Sequence, residues 1–111
     1  MLNIQEAMGK LKEMQTKVQE AQDNLVHIKT SAEAGAGMVK VTVNGKKQIL
    51  TLEIDNDLLN PQDKEMTQDL IVAAINKALI EIEHLSKLEL QKVTESIMPG
   101  MPNMGLDQMG F

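Results

Sequence analysis

The spacing of apolar residues changes abruptly near residue 25, and this change restricts the fold of the chain more than any other feature of its sequence. Up to that point, apolar residues occupy the a and d positions of three successive heptads: Ile4, Ala7, Leu11, Met14, Val18, Ala21 and Leu25. Such a seam is typical of a helix that packs along a narrow stripe against another helix. The pattern therefore predicts a helix over residues 2–25 with one helical partner.

From Val26 onward, apolar and polar residues alternate, which is the period of a strand with one buried face. The alternation runs over residues 26–33, resumes over residues 38–44 and returns over residues 49–54. These segments predict a three-stranded antiparallel meander with one apolar face. Three side chains of the last strand are expected to face the core: Leu50, Leu52 and Ile54.

Two glycine-containing segments separate the three predicted strands. The first is Gly35-Ala36-Gly37, where two glycines in three residues indicate a turn that needs positive φ angles. The second is Asn44-Gly45, a dipeptide typical of a two-residue type I′ hairpin turn because both residues tolerate left-handed backbone angles. The sequence therefore predicts that the strands are joined by short connections.

A second helix is predicted to follow the sheet. Asn60 is a suitable N-cap and Pro61 suits the first helical position, and the helix is expected to run to about Ile97. Its apolar first half is expected to cover the sheet, and its second half to project beyond the sheet and pair with the first helix. The chain is thus predicted to be an α+β fold: a single domain over residues 1–98, then a flexible Met-, Pro- and Gly-rich tail over residues 99–111.

The composition excludes several kinds of chemistry. The chain has no Cys, Trp or Tyr and one Phe, so disulfides, a thiolate nucleophile and aromatic platforms for base stacking are not expected. Eleven lysines and no arginine face sixteen acidic residues, and the net charge is −5. Residues 55–98 hold nine of those acids, and an acidic balance is unusual for a nucleic-acid-binding chain. Neither a membrane span nor a secretory signal is predicted, which favours an intracellular, reducing compartment.

The residues with potential for catalysis or metal binding do not form a recognisable motif. His27 and His84 are the two histidines, and they do not form a His-x-x-x-His pair. Asp55 and Asp57 follow a strand and suit turn formation better than metal binding. We therefore expect no enzymatic activity, no cofactor, no metal and no small-molecule substrate.

A set of short motifs resembles the YbaB/EbfC family of bacterial nucleoid-associated proteins. The motifs are the segment Gly35-Ala36-Gly37-Met38-Val39-Lys40-Val41, the pairs Asn44-Gly45, Ile54-Asp55, Leu58-Leu59 and Asp69-Leu70, and the helical residues Ala74, Asn76 and Ala78. The resemblance implies a small cytoplasmic homodimer that associates with the nucleoid and binds DNA without catalytic activity. It also implies that two protomers join through their sheets and that helical arms project from the joined body.

The same resemblance implies that basic side chains on the arms bind DNA. The candidates in this sequence are Lys10, Lys12, Lys17, Lys87 and Lys92. Lysine is a point charge suited to phosphate contact, and the chain lacks the arginine forks that read guanine, so binding is expected to depend on the DNA backbone and to have low sequence specificity. The alternative is a dimeric protein-interaction module or accessory subunit that uses its helical arms and Met-rich tail to hold a protein partner.

Overall fold

The computed structural model describes residues 3–97. Its main elements, in chain order, are α1 (Ile4–Asn24), β1 (Lys29–Ala34), β2 (Val39–Asn44), β3 (Ile49–Ile54) and α2 (Lys64–Ile97). Within this range, single 3-10 turns occur at Leu25–His27, Asn56–Leu58 and Pro61–Asp63. The element order and the antiparallel sheet confirm the predicted α+β fold. The predicted flexible tail over residues 99–111 lies outside the described residues.

Local hydrogen bonds determine where α1 begins and where β1 follows it. The Asn3 side chain accepts a hydrogen bond from the amide of Gln5 at 3.1 Å, so Asn3 is the N-cap and the helix begins later than predicted. After the helix, the amide of Ile28 donates to the carbonyl of Leu25 at 3.1 Å and closes a 3-10 turn. For this reason β1 begins at Lys29, later than the alternating pattern predicted.

The predicted start of the second helix is confirmed with one refinement. The Asn60 side chain accepts a hydrogen bond from the amide of Asp63 at 3.0 Å, as expected of an N-cap. The segment Pro61–Asp63 forms a 3-10 turn, and the α-helix proper begins at Lys64. The helix then continues for 34 residues, which corresponds to about 51 Å.

The sheet has the strand order β1-β2-β3, and α2 packs across its inner face. In the middle of the sheet, Ala32 lies opposite Val41, which in turn lies opposite Leu52. The helix supplies Ala74 and Ala78, both fully buried. The buried residues of the core between the sheet and α2 are Ala32, Val39, Val41, Val43, Leu58, Ala74, Ala78 and Ile82. The prediction of one apolar sheet face covered by the second helix is confirmed for β1 and β2.

The apolar side chains of β3 are on the predicted side of the sheet but are more exposed than those of β2. A bulge sets Ile49 and Leu50 against Val43, and Leu52 lies opposite Val41, so these side chains are on the inner side of the sheet. They are nevertheless 50%, 43% and 45% exposed, respectively. The reason is that α2 packs on β1 and β2 and does not extend over β3. Leu50 and Leu52 therefore lie on the predicted inner side of the sheet, but α2 leaves both side chains partly exposed in the single chain.

The two strand connections use their glycines differently. Gly35, Ala36 and Gly37 have φ angles of 65°, 54° and 89°, which confirms the predicted left-handed turn. The predicted type I′ turn at Asn44-Gly45 is wrong, because in the hairpin loop the left-handed residue is Lys47, with φ 61°. The Asn44 side chain instead accepts hydrogen bonds from the amides of residues 46 and 48 and so organises a longer loop.

Candidate nucleic-acid interface

A helical arm is formed by α1 and residues 85–97 of α2. Ile28 lines a groove with Leu85, whereas Lys17 lines a groove with Val93 and Ser96. The two helices are therefore antiparallel. Three residues at their contact are at most 8% exposed: Ala21, Leu25 and Leu90. The predicted pairing of the first helix with the distal half of the second is confirmed.

The heptad seam of α1 is buried only near the sheet. Ala21 is 4% exposed, whereas Leu11 and Ile4 are 56% and 76% exposed. Because Lys17 lines the same groove as Ser96, near the end of α2, about thirteen residues of α1 before that groove, some 20 Å of helix, extend beyond the described part of α2. Within residues 3–97, the arm therefore consists of a paired base and a single-helix tip.

Two contacts show from which end of the sheet the arm projects. At the glycine turn, a Cβ at Gly35 would lie 2.9 Å from Cδ1 of Leu70, near the start of α2. At the opposite end, the hydroxyl of Thr30 donates to Glu81 at 2.8 Å, eleven residues further along the helix. The helix thus runs from the glycine turn toward the β2–β3 hairpin, and the arm leaves the sheet at the hairpin end.

The three lysine candidates on α1 do not share one face. Lys10 and Lys17 are seven positions apart and lie on one flank of the helix, whereas Lys12 lies about 200° around the helix from Lys10. The Lys17 ammonium is 3.6 Å from the Glu13 carboxylate. Lys10 and Lys12 are exposed and form no ion pair within the described part of the chain. These two are the lysines of α1 whose charge is least compensated locally.

The two candidates on α2 lie on different sides of the arm. They are five positions apart, or about 140° around the helix. Lys87 is 3.9 Å from Glu83, and Lys92 is 3.7 Å from Glu89. Such exposed pairs contribute little stability and do not prevent a lysine from turning to another anion. The structure therefore brings the five predicted residues onto one arm but not onto one patch.

A second group of lysines, outside the predicted set, lies at the hairpin end of the sheet. Lys29 begins β1 and lies opposite Asn44, the residue from which the hairpin loop with Lys46 and Lys47 begins. All three lysines are exposed, and none forms an ion pair within residues 3–97. We refer to Lys29, Lys46 and Lys47 as the lysine corner. The sequence does contain a sign of this group: if residues of β1 and β2 are paired outward from the glycine turn, Lys29 falls opposite Asn44, at the start of the hairpin loop.

Comparison with known proteins identifies the family. The sequence model of the YbaB/EbfC DNA-binding family matches residues 1–97. The chain belongs to the YbaB/EbfC family. It is 45% identical to a nucleoid-associated protein of Chlorobium phaeobacteroides over 88% of this chain and 86% of that relative. It is also 42% identical to a nucleoid-associated protein of Clostridium novyi, over 90% of this chain and 89% of the relative.

A solved structure supports the YbaB/EbfC fold. An uncharacterized protein from Helicobacter pylori superposes with a TM-score of 0.67 at 26% sequence identity, over 78% of this chain and 91% of that protein. YbaB/EbfC is a family of nucleoid-associated, DNA-binding proteins and not a family of enzymes. The resemblance inferred from the glycine turn and the neighbouring motifs is thereby confirmed.

Among residues 3–97, no group of three or more His, Asp and Glu side chains is arranged to hold a metal ion. None of the helices in the described range combines the length and the apolar character needed to cross a bilayer.

Proposed function

We propose that this YbaB/EbfC protein is a cytoplasmic, nucleoid-associated homodimer that binds duplex DNA mainly through backbone phosphates, with low sequence specificity. Binding of this kind would contribute to nucleoid compaction and affect gene expression. The observation that carries the proposal is the kind of cation that the chain contains: eleven lysines and no arginine, in a member of a DNA-binding family.

The choice of lysine supports backbone contact over base reading. Lysine neutralises a phosphate as a point charge, whereas bidentate reading of guanine is most commonly performed by arginine. Lys10 and Lys12 are exposed and without ion pairs in the described part, so their charges are available to DNA. Lys17, Lys87 and Lys92 would exchange a glutamate on their own helix for a phosphate.

The charge balance of the arm argues for modest affinity per protomer. The arm carries five lysines and six acidic residues, so it is not basic as a whole. Two arms on one dimer would raise the apparent affinity, because binding of the first arm increases the local DNA concentration at the second. Two contact regions on one duplex, or on two duplexes, would also suit clamping or bridging of DNA.

The uncovered apolar side chains on the inner side of β3 support the proposal of a homodimer. Leu50 and Leu52 are exposed there, and the strand is an edge of the sheet with unpaired backbone groups. On α2, Val72, Ile75 and Leu79 share the flank that points away from Glu81, the residue bonded to β1. This flank lies on the same side of the helix as β3. A second copy of the chain that joins along β3 would cover both apolar surfaces.

Binding is tested with the purified full chain and two unrelated fluorescent duplexes, by anisotropy titration at low and at moderate salt. We expect both duplexes to bind at low salt with dissociation constants within about threefold of each other, and to lose at least ~10-fold in affinity at moderate salt. Failure to bind either duplex at low salt would overturn the proposal. A strong preference for one duplex would overturn its low-specificity component.

The alternative function, a protein-interaction module, is favoured by one observation. Ile4, Met8 and Leu11 on the arm tip are 76%, 60% and 56% exposed. An apolar helix face of this kind suits another amphipathic helix. Affinity capture with the full chain after nuclease treatment separates the two functions. Recovery of a stoichiometric protein partner that is insensitive to nuclease, together with absent DNA binding, would favour the interaction module.

A further inference from the structure

The outer face of the sheet has an uneven distribution of charge along its length. At the glycine-turn end, Lys40 lies between Glu33 and Glu53 in one cross-strand row. The next row holds hydroxyls, with Ser31 Oγ 2.7 Å from Thr42 Oγ1. At the hairpin end, the lysine corner follows with three positive charges. The sheet therefore presents a neutral to acidic end and a basic end.

The corner is basic because of the local sequence as well as the fold. Residues 34–52 contain no acidic residue, and residues 24–32 contain none either. Close to the corner, Glu81 is engaged by the Thr30 hydroxyl at 2.8 Å, on the inner side of β1. By contrast, Lys17, Lys87 and Lys92 on the arm each lie within 4.0 Å of a glutamate. Asp23, two residues before Leu25 at the root of the arm, accepts a hydrogen bond from Gln19 at 3.0 Å, and none of the three corner lysines forms an ion pair within the described part of the chain.

Hydrogen bonds hold the backbone of the corner in place. The Asn44 side chain is 1% exposed, and its Oδ1 accepts from the amides of Lys46 at 3.0 Å and Gln48 at 3.1 Å. Its Nδ2 donates to Gln48 Oε1 at 2.8 Å. The amide of Gly45 donates to two carbonyls of the α1–β1 connection. Because the loop backbone is held from both sides, the positions of the lysine Cα atoms are set before any ligand arrives.

The location of the corner suggests its ligand. The arm leaves the sheet at the hairpin end, so the corner lies at the root of the arm. A duplex in contact with the arm near its root would bring a phosphate backbone to the corner. We infer that Lys29, Lys46 and Lys47 form a second phosphate-binding site for duplex DNA, in addition to the arm lysines. The inference rests on the proposed function, because it requires that the protein bind DNA through phosphates.

A variant with a matched control tests the site. The corner variant carries Lys29→Gln, Lys46→Gln and Lys47→Asn, since asparagine tolerates the left-handed φ of 61° at position 47. The control carries Lys40→Gln, Lys64→Gln and Lys77→Gln and removes the same three charges from elsewhere. Both are titrated against one duplex over a series of salt concentrations, beside the wild type, after circular dichroism has verified their folding.

We expect the corner variant to lose at least ~10-fold in affinity at low salt, and its slope of log K against log salt to be shallower by up to about 2.7 per protomer. The control should lose less than ~3-fold and keep the wild-type slope. Equal losses in both variants, or wild-type behaviour of the corner variant, would overturn the inference while leaving the proposed function intact. Absence of binding by the wild type would overturn both.

A second measurement needs no substitution. Amine-reactive footprinting of the wild-type protein compares the labelling of each lysine with and without saturating duplex. We expect DNA to protect Lys29, Lys46 and Lys47 more strongly than Lys40 and Lys64. Unchanged labelling of the corner in a sample in which the arm lysines are protected would overturn the inference.

Discussion

The amide of Gly45 donates to the carbonyl of Leu25 at 2.9 Å, and the two backbones are so close that no larger residue fits at position 45. A Cβ there would lie 2.4 Å from the Leu25 oxygen and 2.9 Å from its Cβ. The β2–β3 hairpin therefore rests directly on the end of α1. This contact joins the sheet to the root of the arm.

The first prediction concerns this contact. Gly45→Ala should lower the free energy of unfolding by about 2–4 kcal/mol, because the added methyl group separates the two backbones and weakens a hydrogen bond. Urea denaturation at fixed protein concentration measures the effect. Gly9→Ala is the control: its Cβ would meet nothing within 4 Å, so it should stabilise the protein by up to about 1 kcal/mol. Similar stability of the two variants would contradict the packing described.

The second prediction concerns a buried hydroxyl in the arm. Ser86 is 8% exposed, and its Oγ has no hydrogen-bond partner among the described residues. Ser86→Ala should raise the free energy of unfolding by about 0.5–1.5 kcal/mol, because it removes an unsatisfied polar group and improves helix propensity. Thermal denaturation measures the change. The exposed Ser96→Ala in the same helix should change stability by less than about 0.5 kcal/mol. Destabilisation by Ser86→Ala would show that the hydroxyl has a partner.

The third prediction concerns the proposed dimer. Leu52→Asp introduces a charge on the uncovered inner side of β3, whereas Thr51→Asp introduces the same charge on the outer face of that strand. In light scattering the wild type and Thr51→Asp should have twice the chain mass of 12.3 kDa, and Leu52→Asp should shift toward the single-chain mass. A monomeric wild type would contradict the proposed dimer, and a dimer that persists in Leu52→Asp would place the interface elsewhere.

The fourth prediction concerns the arm. Reversal of charge at Lys10, Lys12 and Lys17 to glutamate should reduce DNA affinity by at least ~10-fold at low salt, since each change removes a phosphate contact and adds repulsion. Gel-shift titration measures the loss. The control carries Lys40→Glu, Lys64→Glu and Lys77→Glu. It changes the net charge by the same amount and should lose less DNA affinity. If the two triple variants lose the same affinity, net charge alone explains the result and the arm has no specific role.

The fold was predictable wherever a local pattern also determines the packing. The alternation of Val39, Val41 and Val43 predicted the inner face of β2, and α2 does cover that face. The same pattern in Leu50 and Leu52 predicted the correct side of β3 but not its exposure. Alternation tells which side chains share a face. It does not tell how far a neighbouring helix extends over the sheet.

The β2–β3 hairpin shows a second limit of prediction from sequence. The Asn44-Gly45 dipeptide predicts a turn in which these two residues have left-handed angles, but the left-handed residue of the loop is Lys47. Gly45 is required because Leu25 approaches it closely. A left-handed φ angle and a close backbone contact both favour glycine, and only the folded structure shows which of the two applies at position 45. The lysine corner likewise depends on tertiary structure, because the pairing of β1 with β2 places Lys29 next to the hairpin loop.

The central claim is that binding is dominated by phosphate contacts of lysines, and the salt dependence of wild-type DNA binding tests it most directly. Five lysines per protomer without ion pairs in the described part are available for contact on the arm and the corner: Lys10, Lys12, Lys29, Lys46 and Lys47. For a dimer, the account predicts a linear plot of log K against log salt with a slope between about −4 and −9. A slope near zero, with binding retained at high salt, would contradict it.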